Sequence, residues 1–255
     1  MKRGAAVAVV ILGAPGRMGT SLLRLLPSFA GLRLHAAVAA AGNPAVGRDS
    51  GELAGVAPNG VRVRPDAEAA LEGAGLALDF STAAAAAAHV AACEAQRVPL
   101  LLGTTGLGPE LPAMLERAAR RIPLLVTANT SLGVAVLQEL VHAAAAALGA
   151  GFDVQVCDAH HGAKRDAPSG TALTLGAAAA DGGQRPAQRI GYASIRGGDV
   201  VGDHEVHFLG QGERLCLSHS ATDRSVFARG ALQSGSWLAR RPPGRYAMTD
   251  VLREK

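Results

Sequence analysis

The sequence predicts an α/β fold made of a doubly wound parallel sheet and a second, α+β domain with a mostly antiparallel sheet. Three observations predict it. From the N-terminus to about residue 130, short apolar runs alternate with helical stretches, which is the pattern of consecutive βαβ units. A glycine-rich turn joins the first apolar run to the first helical stretch. Beyond it, short β-like runs separated by glycines replace the alternation.

In the first domain, each strand is a short apolar run followed by a helical stretch. The predicted strands are Ala5–Leu12, Leu32–Ala39, Leu76–Phe80, Val98–Gly103 and Ile122–Thr127. The predicted helices are Met18–Leu26, Thr82–Gln96 and Gly108–Arg121. Because alanine has the highest helix propensity, the alanine-rich second helix is predicted as an ordinary crossover between strands and not as low-complexity sequence.

In the second domain, helices and strands no longer alternate regularly. The predicted helices are Leu137–Leu148, Thr171–Ala180, Ser225–Leu238 and Met248–Arg253. The predicted strands are Asp153–Asp158, Arg189–Arg196, Glu205–Leu209 and Arg214–His219. We expect the first domain to span residues 1–129 and the second residues 130–231, with the segment 232–255 returning to the first domain.

Composition restricts the class of partner. Of the 255 residues, 49% are apolar and 18% are charged, which is typical of a globular protein. The net charge of +4 suits small anionic ligands, but there is no run of lysine and arginine interleaved with aromatic residues, so no nucleic-acid partner is predicted. Cys93, Cys157 and Cys216 are odd in number and far apart. They predict reduced thiols, with neither a disulfide framework nor a metal site.

The N-terminus resembles the start of a secretory signal, since Lys2 and Arg3 precede an apolar run. That run ends in a glycine turn that opens a helix, which a signal peptide does not require. We find no stretch of roughly 20 consecutive apolar residues, the length that a membrane span needs. The sequence therefore predicts a cytoplasmic protein with no membrane partner.

The glycine turn follows the first strand as Gly13-Ala14-Pro15-Gly16-Arg17-Met18-Gly19. Glycines at this position let the backbone approach a pyrophosphate, and the start of the helix supplies N–H donors and partial positive charge. The spacing is G-x-x-G-x-x-G, and such turns also serve as plain corners between a strand and a helix. With a strand before it and a helix after it, the turn predicts dinucleotide binding.

The second strand bears on the choice between NADH and NADPH. An acidic residue at the end of this strand usually binds the adenosine ribose, but the segment from Ala36 to Gly42 has no carboxylate. Arg17 is the nearest basic residue, and Arg48 is a more distant one. We expect either cofactor to bind, with NADPH favoured.

Two other strands end in small polar residues, at Gly103-Thr104-Thr105-Gly106 and at Thr127-Ala128-Asn129-Thr130-Ser131. Ligands of open α/β sheets bind at the carboxyl ends of parallel strands. Both segments are therefore predicted to contact the cofactor, although each taken alone could be a turn without a ligand.

A polar cluster, DAHHGAKRDAPSGTA, spans residues 158–172. Lys164 supplies a fixed positive charge, and Ser169-Gly170-Thr171 opens a helix whose N–H groups favour a carboxylate. Ser169 or Thr171 could equally be a plain N-cap. His160 and His161 are adjacent and cannot share one face of a strand, so they either have different roles or lie at a turn. A metal pair is not predicted, since no set of partner ligands surrounds them.

These motifs, together with DFS and the late VGDHEVHF, GERL, LSHSA and FARGAL segments, resemble the dihydrodipicolinate reductase family. The motifs occur in the family's order from Gly13 to about Leu252. The resemblance implies reduction of 4-hydroxy-tetrahydrodipicolinate to tetrahydrodipicolinate in lysine and diaminopimelate biosynthesis. It also implies a Rossmann-like cofactor domain, a domain for substrate binding and oligomerisation, and a homotetramer.

The resemblance assigns roles to residues of both domains. His160 and Lys164 match the family's catalytic proton donors. The positions that match substrate binding, for a cyclic imine with two carboxylates, are His161, Lys164, Ser169, Gly170 and Thr171. The positions that match nicotinamide dinucleotide binding are Gly13, Ala14, Pro15, Gly16, Arg17, Met18, Phe80, Gly103, Thr104, Thr105, Thr127, Ala128, Asn129 and Thr130.

The chain departs from the family at Pro15, Ala39, Thr130 and Gln233. Pro15 removes an N–H donor from the phosphate loop, and Ala39 stands where many relatives carry the acidic ribose ligand. Because these changes fall on the cofactor side, one alternative is a diverged paralogue that binds a dinucleotide without catalysis. A second alternative is another two-domain dehydrogenase, which would share the glycine turn but not the polar cluster.

Overall fold

The computed structural model describes residues 5–253. The basic residues of the signal-like start, Lys2 and Arg3, and the last two residues of the expected returning segment lie outside the described residues. The strands are β1 (Val7–Leu12), β2 (Leu32–Val38), β3 (Val63–Arg64), β4 (Leu76–Asp79), β5 (Leu100–Leu102), β6 (Pro123–Val126), β7 (Asp153–His160), β8 (Ile190–Arg196), β9 (Gly202–Leu209), β10 (Arg214–Ala221) and β11 (Gly244–Tyr246). The helices are α1 (Arg17–Leu25), α2 (Ser50–Leu53), α3 (Ala67–Leu71), α4 (Ala83–Gln96), α5 (Leu111–Ala119), α6 (Leu132–Leu148), α7 (Gly170–Gly182), α8 (Ser225–Leu238) and α9 (Asp250–Arg253).

The chain divides into two compact units, which are described separately. The first comprises residues 1–130 and 227–255, and the second comprises residues 131–226. The first unit ends one residue later than expected, at residue 130 and not at residue 129. The chain returns to the first unit five residues earlier than expected, at residue 227 and not at residue 232. The later boundary moves because α8 is one continuous helix that begins seven residues before the expected returning segment.

The first unit contains a parallel sheet of seven strands in the order β11-β6-β5-β4-β1-β2-β3. Apolar residues of β1, β2, β4, β5 and β6 pack on α3, α4 and α5 in one buried cluster. On the opposite face, α8 lies close to β4, because a Cβ added at Gly235 would lie 2.8 Å from Leu76 Cδ2. Small residues on α8 therefore let the C-terminal segment cover the sheet.

The second unit contains a four-stranded sheet in the order β10-β9-β7-β8. Its β10–β9 and β9–β7 pairs are antiparallel, and its β7–β8 pair is parallel. One face carries Val154, Val156, Val206 and Phe208, which are fully buried against α6 and α7. The predicted fold class, a doubly wound parallel sheet with a mostly antiparallel α+β unit, is confirmed.

Two differences from the predicted elements have simple causes. The predicted helix Leu137–Leu148 begins five residues earlier, at Leu132, because Ser131 accepts a hydrogen bond from Val134 N at 3.3 Å and caps it. The sequence analysis did not predict α2, α3, β3 or β11. These elements have two to five residues each, too few for a periodic apolar pattern to identify them.

One helical segment among residues 5–253 is long and apolar enough to cross a membrane by length and mean hydropathy, although its apolar residues are interrupted by polar ones. It comprises α6 and the 3-10 turn after it, Leu132–Gly151. Its residues Leu137, Val141 and Ala145 pack in the core of the second unit, and it includes Glu139. A core helix of a globular domain passes the same test, so this single segment is weak support for a membrane span.

Candidate active site

The predicted cofactor loop lies at the point where the first sheet changes its direction of winding. β1 has β2 on one side and β4 on the other, and open α/β sheets bind ligands beside such a switch point. The loop begins at Gly13, whose φ is +83°. A Cβ on Gly13 would lie only 2.6 Å from the Phe80 carbonyl oxygen. The ends of β1 and β4 can therefore meet this closely only because residue 13 is glycine.

Most backbone donors of the loop already have partners within the fold. The N–H groups of Gly13 and Ala14 donate to the Val38 carbonyl at 3.0 and 2.9 Å, and Gly16 N–H donates to the Gly13 carbonyl at 3.0 Å. Pro15 has no N–H to donate. These predicted cofactor residues therefore shape the loop more than they supply donors to an anion.

The donors that remain are at the start of α1. No side chain caps this helix, and the first N–H groups of a helix have no intrahelical partner. They belong to Arg17 and Met18, and Arg17 is exposed. A Cβ on Gly19 would overlap Ala14, so glycine lets the helix start pack closely against the loop. This arrangement fits the pyrophosphate of a dinucleotide.

Asp79 organises the ends of β4 and β5. Its side chain is fully buried, and its Oδ2 lies 2.8 Å from His89 Nδ1. Asp79 Oδ1 accepts hydrogen bonds from Ser81 N at 2.9 Å and from Thr104 Oγ1 at 3.3 Å. Of the two predicted cofactor threonines in this segment, Thr104 is thus turned into the fold, whereas Thr105 is exposed.

Phe80 packs against the next strand end. A Cβ added at Gly103 would overlap the Phe80 ring, so the aromatic side chain occupies the space above that glycine. Both residues were predicted to contact the cofactor, and the first unit places them in mutual contact. Any larger residue at position 103 would displace the ring.

The segment after β6 is held by its own hydrogen bonds. Thr127 Oγ1 donates to the Asn129 carbonyl at 2.7 Å and accepts from Asn129 N at 3.1 Å, while Ala128 is exposed. Thr130 is buried, and its Oγ1 donates to the Phe227 carbonyl at 2.6 Å. The hydroxyl of Thr130 therefore uses its proton to tie the segment after β6 to α8.

A basic residue that the sequence analysis did not consider lies beside Ala39. The Ala39 N–H donates to the Arg64 carbonyl at 3.1 Å, and β3 pairs Arg64 with Val38. Arg48 lies next to β3, since its carbonyl accepts a hydrogen bond from Val63 N at 2.9 Å. Both arginines are exposed. The end of β2 therefore lacks a carboxylate and has cationic residues as neighbours.

In the second unit, His160 and Asp158 form a buried pair at the end of β7. Residues two apart in a strand share one face, and His160 Nδ1 lies 2.8 Å from Asp158 Oδ2. An ionised carboxylate can only accept, so Nδ1 carries the proton in this contact and Nε2 is left as the free ring nitrogen. A Cβ added at Gly202 would lie 3.1 Å from that Nε2, so residue 202 leaves room beside it.

Asp158 is also held by two residues of β8. Ser194 Oγ donates to Asp158 Oδ1 at 2.6 Å, and Arg196 Nη1 lies 2.9 Å from Asp158 Oδ2. Burial alone would raise the pKa of Asp158, but the hydrogen bonds from Ser194, Arg196 and His160 outweigh it and the pKa is lowered. Asp158 is therefore a carboxylate that orients the imidazole.

The surroundings of His160 lower the pKa of its imidazole and so favour the neutral form. Burial lowers its pKa from the ordinary 6.5, and the nearby Lys164 cation lowers it further, whereas Asp158 raises it. The net shift is downward. A neutral imidazole with Nδ1 protonated can accept a proton at Nε2 and return it, which is the behaviour of a proton relay.

A second buried histidine packs on the first. The rings of His204 and His160 lie 5.1 Å apart, edge to face. His204 Nε2 is 3.3 Å from Ser169 Oγ, and among residues 5–253 its buried Nδ1 has no hydrogen-bond partner. Burial, with a contribution from His160, lowers the pKa of His204 to about 4. His204 thus connects the imidazole of His160 to the start of α7.

Ser169 is the N-cap of α7, since its Oγ accepts a hydrogen bond from Ala172 N at 3.1 Å. The Ser169 hydroxyl therefore acts as the N-cap of the helix, which is one of the two roles that the sequence allowed for this residue. The next two residues, Gly170 and Thr171, begin the helix, and Gly170 is exposed. Their N–H groups belong to the first turn, where a carboxylate is favoured.

Lys164 and His161 lie on a turn after β7. Lys164 N donates to the His161 carbonyl at 3.0 Å, and the Lys164 ammonium contacts both oxygens of Asp166 at 2.7 and 2.8 Å. Arg196 Nη2 donates to the Asp166 carbonyl at 2.7 Å. Since Arg196 also binds Asp158, it connects this turn to the buried pair.

Models of two parts of one family match this chain. The model of the N-terminus of dihydrodipicolinate reductase matches residues 7–130, and the model of its C-terminus matches residues 133–252. The chain belongs to the dihydrodipicolinate reductase family. The resemblance drawn from the sequence motifs is thereby confirmed, and the chain is an oxidoreductase.

Comparison with individual proteins supports the same family. The 4-hydroxy-tetrahydrodipicolinate reductase of Anaeromyxobacter dehalogenans is 46% identical, with 96% of this chain and 97% of the relative covered. That of Rhizobium meliloti is 47% identical, with 96% of each covered. A dipicolinate-bound dihydrodipicolinate reductase from Paenisporosarcina sp. TG-14 shares the fold with a TM-score of 0.77 at 21% identity, over 95% of this chain and 97% of that one. None of these findings favours a non-catalytic paralogue or another dehydrogenase family.

Four residues of this candidate site were missed by the sequence analysis: Asp158, Ser194, Arg196 and His204. Asp158 had only a partial signal, because the predicted strand ended at Asp158, and only the extension of β7 to His160 puts the two side chains on one face. The other three lie on β8 and β9, and nothing local in their segments connects them with residue 160. Only the pairing of these strands with β7 brings them to the imidazole.

Proposed function

We propose that this chain catalyses the NAD(P)H-dependent reduction of 4-hydroxy-tetrahydrodipicolinate to tetrahydrodipicolinate, a step of lysine and diaminopimelate biosynthesis. One observation carries the proposal: in a member of this reductase family, His160, Lys164 and the start of α7 belong to one contact network. Asp158, Arg196 and His204 connect them. The network combines a proton relay, a cation and helix N–H donors, which are the groups that reduction of a dicarboxylate imine requires.

The substrate's two carboxylates are assigned to the exposed side of this network. The Lys164 ammonium binds one of them and gives up its contact with Asp166 to do so, because Asp166 is itself a carboxylate and competes for the same cation. The N–H groups of Gly170 and Thr171 at the start of α7 receive the other. His161 is also assigned to the substrate carboxylates, as the family resemblance implies, and Ser169 caps the helix that presents the N–H groups.

The cofactor is assigned to the first unit. The N–H groups of Arg17 and Met18 bind the pyrophosphate, and the loop from Gly13 to Gly16 shapes the space around it. Phe80, the segment from Gly103 to Thr105 and the segment from Thr127 to Thr130 form the rest of the site. When bound, the cofactor supplies the hydride.

The protein's own contribution to the reaction is a proton and its placement. Starting from the hydroxylated ring, the hydride replaces the hydroxyl group, which takes up a proton and leaves as water. Lys164 donates this proton, and His160 passes a proton from solvent to restore the ammonium. The Asp158 carboxylate keeps Nδ1 of His160 protonated, so the relay uses Nε2.

NADPH is proposed as the preferred cofactor. No carboxylate follows β2, and the exposed Arg64 and Arg48 lie beside its end. A ribose 2′-phosphate gains from nearby arginines, whereas NADH gains nothing from them.

Self-association is proposed to occur through the face of the second sheet that faces away from α6 and α7. Ile195 on this face is 66% exposed, and association through this face would cover its apolar side chain. We expect a homotetramer by light scattering and a smaller species for Ile195→Glu. A tetramer that withstands this substitution would place the interface elsewhere.

A cytoplasmic location without membrane attachment is also part of the proposal. It agrees with a biosynthetic reductase and with the three free cysteines of the described chain. After cell lysis and high-speed centrifugation, the protein should remain in the supernatant. Recovery in the membrane pellet would assign the α6 segment to a membrane.

The reaction is tested by the loss of nicotinamide absorbance, with NADPH and NADH measured separately. The unstable substrate is made in the cuvette from pyruvate and aspartate semialdehyde by its synthase. Oxidation that depends on the synthase supports the proposal, and the two rates give the cofactor preference. No oxidation by folded protein at saturating cofactor would overturn it in favour of the non-catalytic paralogue.

A further inference from the structure

We propose that Glu205, His207 and Cys216 form a binding site for a zinc-type divalent metal ion on the second unit. One carboxylate oxygen, one ring nitrogen and one thiol sulfur of these residues lie within 4.8 Å of one another. The sequence analysis predicted no metal site, because the cysteines are odd in number and far apart and no set of partner ligands surrounds His160 and His161. The sheet brings them together.

Strand geometry explains the cluster. Glu205 and His207 are two residues apart on β9, so their side chains point to the same face. Cys216 on β10 is the direct cross-strand partner of His207, and side chains of directly paired residues are neighbours. Val206, which stands between the two ligands of β9, is fully buried on the opposite face. The cluster therefore lies on the sheet face turned away from α6, α7 and the buried His160.

The donor set suits zinc. Thiolate, imidazole and carboxylate are all ligands of zinc, which takes four ligands in a tetrahedral arrangement. His207 Nε2 and Glu205 Oε2 are already 3.0 Å apart, a separation that two ligands of one ion can have. A thiolate also favours zinc over magnesium or calcium, which prefer oxygen. With three protein ligands, the fourth position belongs to water.

The charges of the cluster favour a cation. Glu205 supplies a carboxylate, and Cys216 supplies a thiolate once its proton is released to solvent. A divalent ion bound between them neutralises both groups. The His207 and Glu205 side chains are 30% and 50% exposed in the single chain. Because the cluster shares its sheet face with Ile195, through which self-association is proposed, the ion would lie at or beside the contact between copies.

The test uses the full chain, freed of metal by a chelator and kept reduced by a phosphine so that no disulfide forms. Co²⁺ is the probe, because its thiolate charge-transfer band in the near ultraviolet reports a bound cysteine and its visible bands report tetrahedral geometry. We expect one equivalent of Co²⁺ to give both signals and Zn²⁺ to displace it. Absence of the charge-transfer band at saturating Co²⁺ would overturn the proposal.

Variants assign the ligands. Cys216→Ser should remove the charge-transfer band, and His207→Gln should weaken Co²⁺ binding by about tenfold or more, since even the loss of a group that only orients a ligand has such an effect. Cys157→Ser is the matched control, because this thiol lies on the same face but outside the cluster, and it should keep the band. A band lost in Cys157→Ser and kept in Cys216→Ser would contradict the assignment. The proposal does not depend on the reductase reaction.

Discussion

His160 Nδ1 lies 2.8 Å from Asp158 Oδ2, and both side chains are almost closed off from solvent, at 11% and 0% exposure. Arg196 and Ser194 hold the same carboxylate from the neighbouring strand. The contact fixes which ring nitrogen carries the proton, and it opposes the effect of burial on the imidazole's pKa. In the proposed reaction, the buried carboxylate is therefore a positioning residue that acts through His160.

Replacing Asp158 with Asn should change the pH dependence of turnover. Asp158 raises the pKa of His160, whereas burial and Lys164 lower it, so loss of the carboxylate lowers that pKa further. The inflection of the kcat/KM profile that reports His160 should move to lower pH. Asp158→Glu, which keeps the charge, should restore much of the wild-type profile. An unchanged inflection in Asp158→Asn would remove the pair from the mechanism.

Replacing Lys164 with Ala should lower kcat/KM by about 10²- to 10⁴-fold, the range typical of losing a positioned proton donor. Binding of NADPH, measured by fluorescence titration, should be unchanged because the cofactor is assigned to the first unit. Arg165→Ala is the control, since it removes a neighbouring exposed cation. Equal losses in both variants would mean that general positive charge, and not Lys164 itself, is required.

Replacing Arg64 with Ala should raise KM for NADPH by about tenfold, equal to about 1.4 kcal/mol of lost charge-assisted contact. KM for NADH should stay nearly constant, because NADH has no 2′-phosphate. Arg33, exposed at the amino end of β2, provides a control at the far end of the same strand. If Arg64→Ala alters both cofactors alike, this arginine does not discriminate between them.

Replacing His204 with Gln should make the stability of the protein less dependent on pH. The pKa of His204 is about 4 in the folded protein, against an ordinary 6.5, so between these values the unfolded chain binds more protons. The stability that His204 contributes is present above about pH 6.5 and is lost as the pH falls towards 4. This loss amounts to at most about 3 kcal/mol.

Urea unfolding at pH 7 and at pH 4.5 measures this difference. His142→Gln is the control for the substitution itself, since it makes the same change at a side chain that is half exposed. A His204→Gln protein that loses as much stability on acidification as the wild type would assign the effect to other groups. His160 contributes in the same direction, so part of the dependence should persist.

The amino-acid sequence by itself determined the strand–glycine–helix start of the first unit, the parallel arrangement of its main strands and the polar segment from Asp158 to Ala172. These features are local. A run of apolar residues, a glycine that adopts φ +83° and a Ser169 cap act on neighbours in the chain, so their pattern is visible without the fold.

Only the tertiary structure decided which side chains of these segments are already hydrogen-bonded within the fold, and which distant residues are their partners. Thr130 belongs to the predicted cofactor segment, yet its hydroxyl is bound to the Phe227 carbonyl, 97 residues away. Arg64 lies beside Ala39, and Arg196 beside Asp158, because strand pairing is a non-local interaction. Backbone hydrogen bonds can pair any two extended segments, so the sequence of one strand does not by itself show which strand it pairs with.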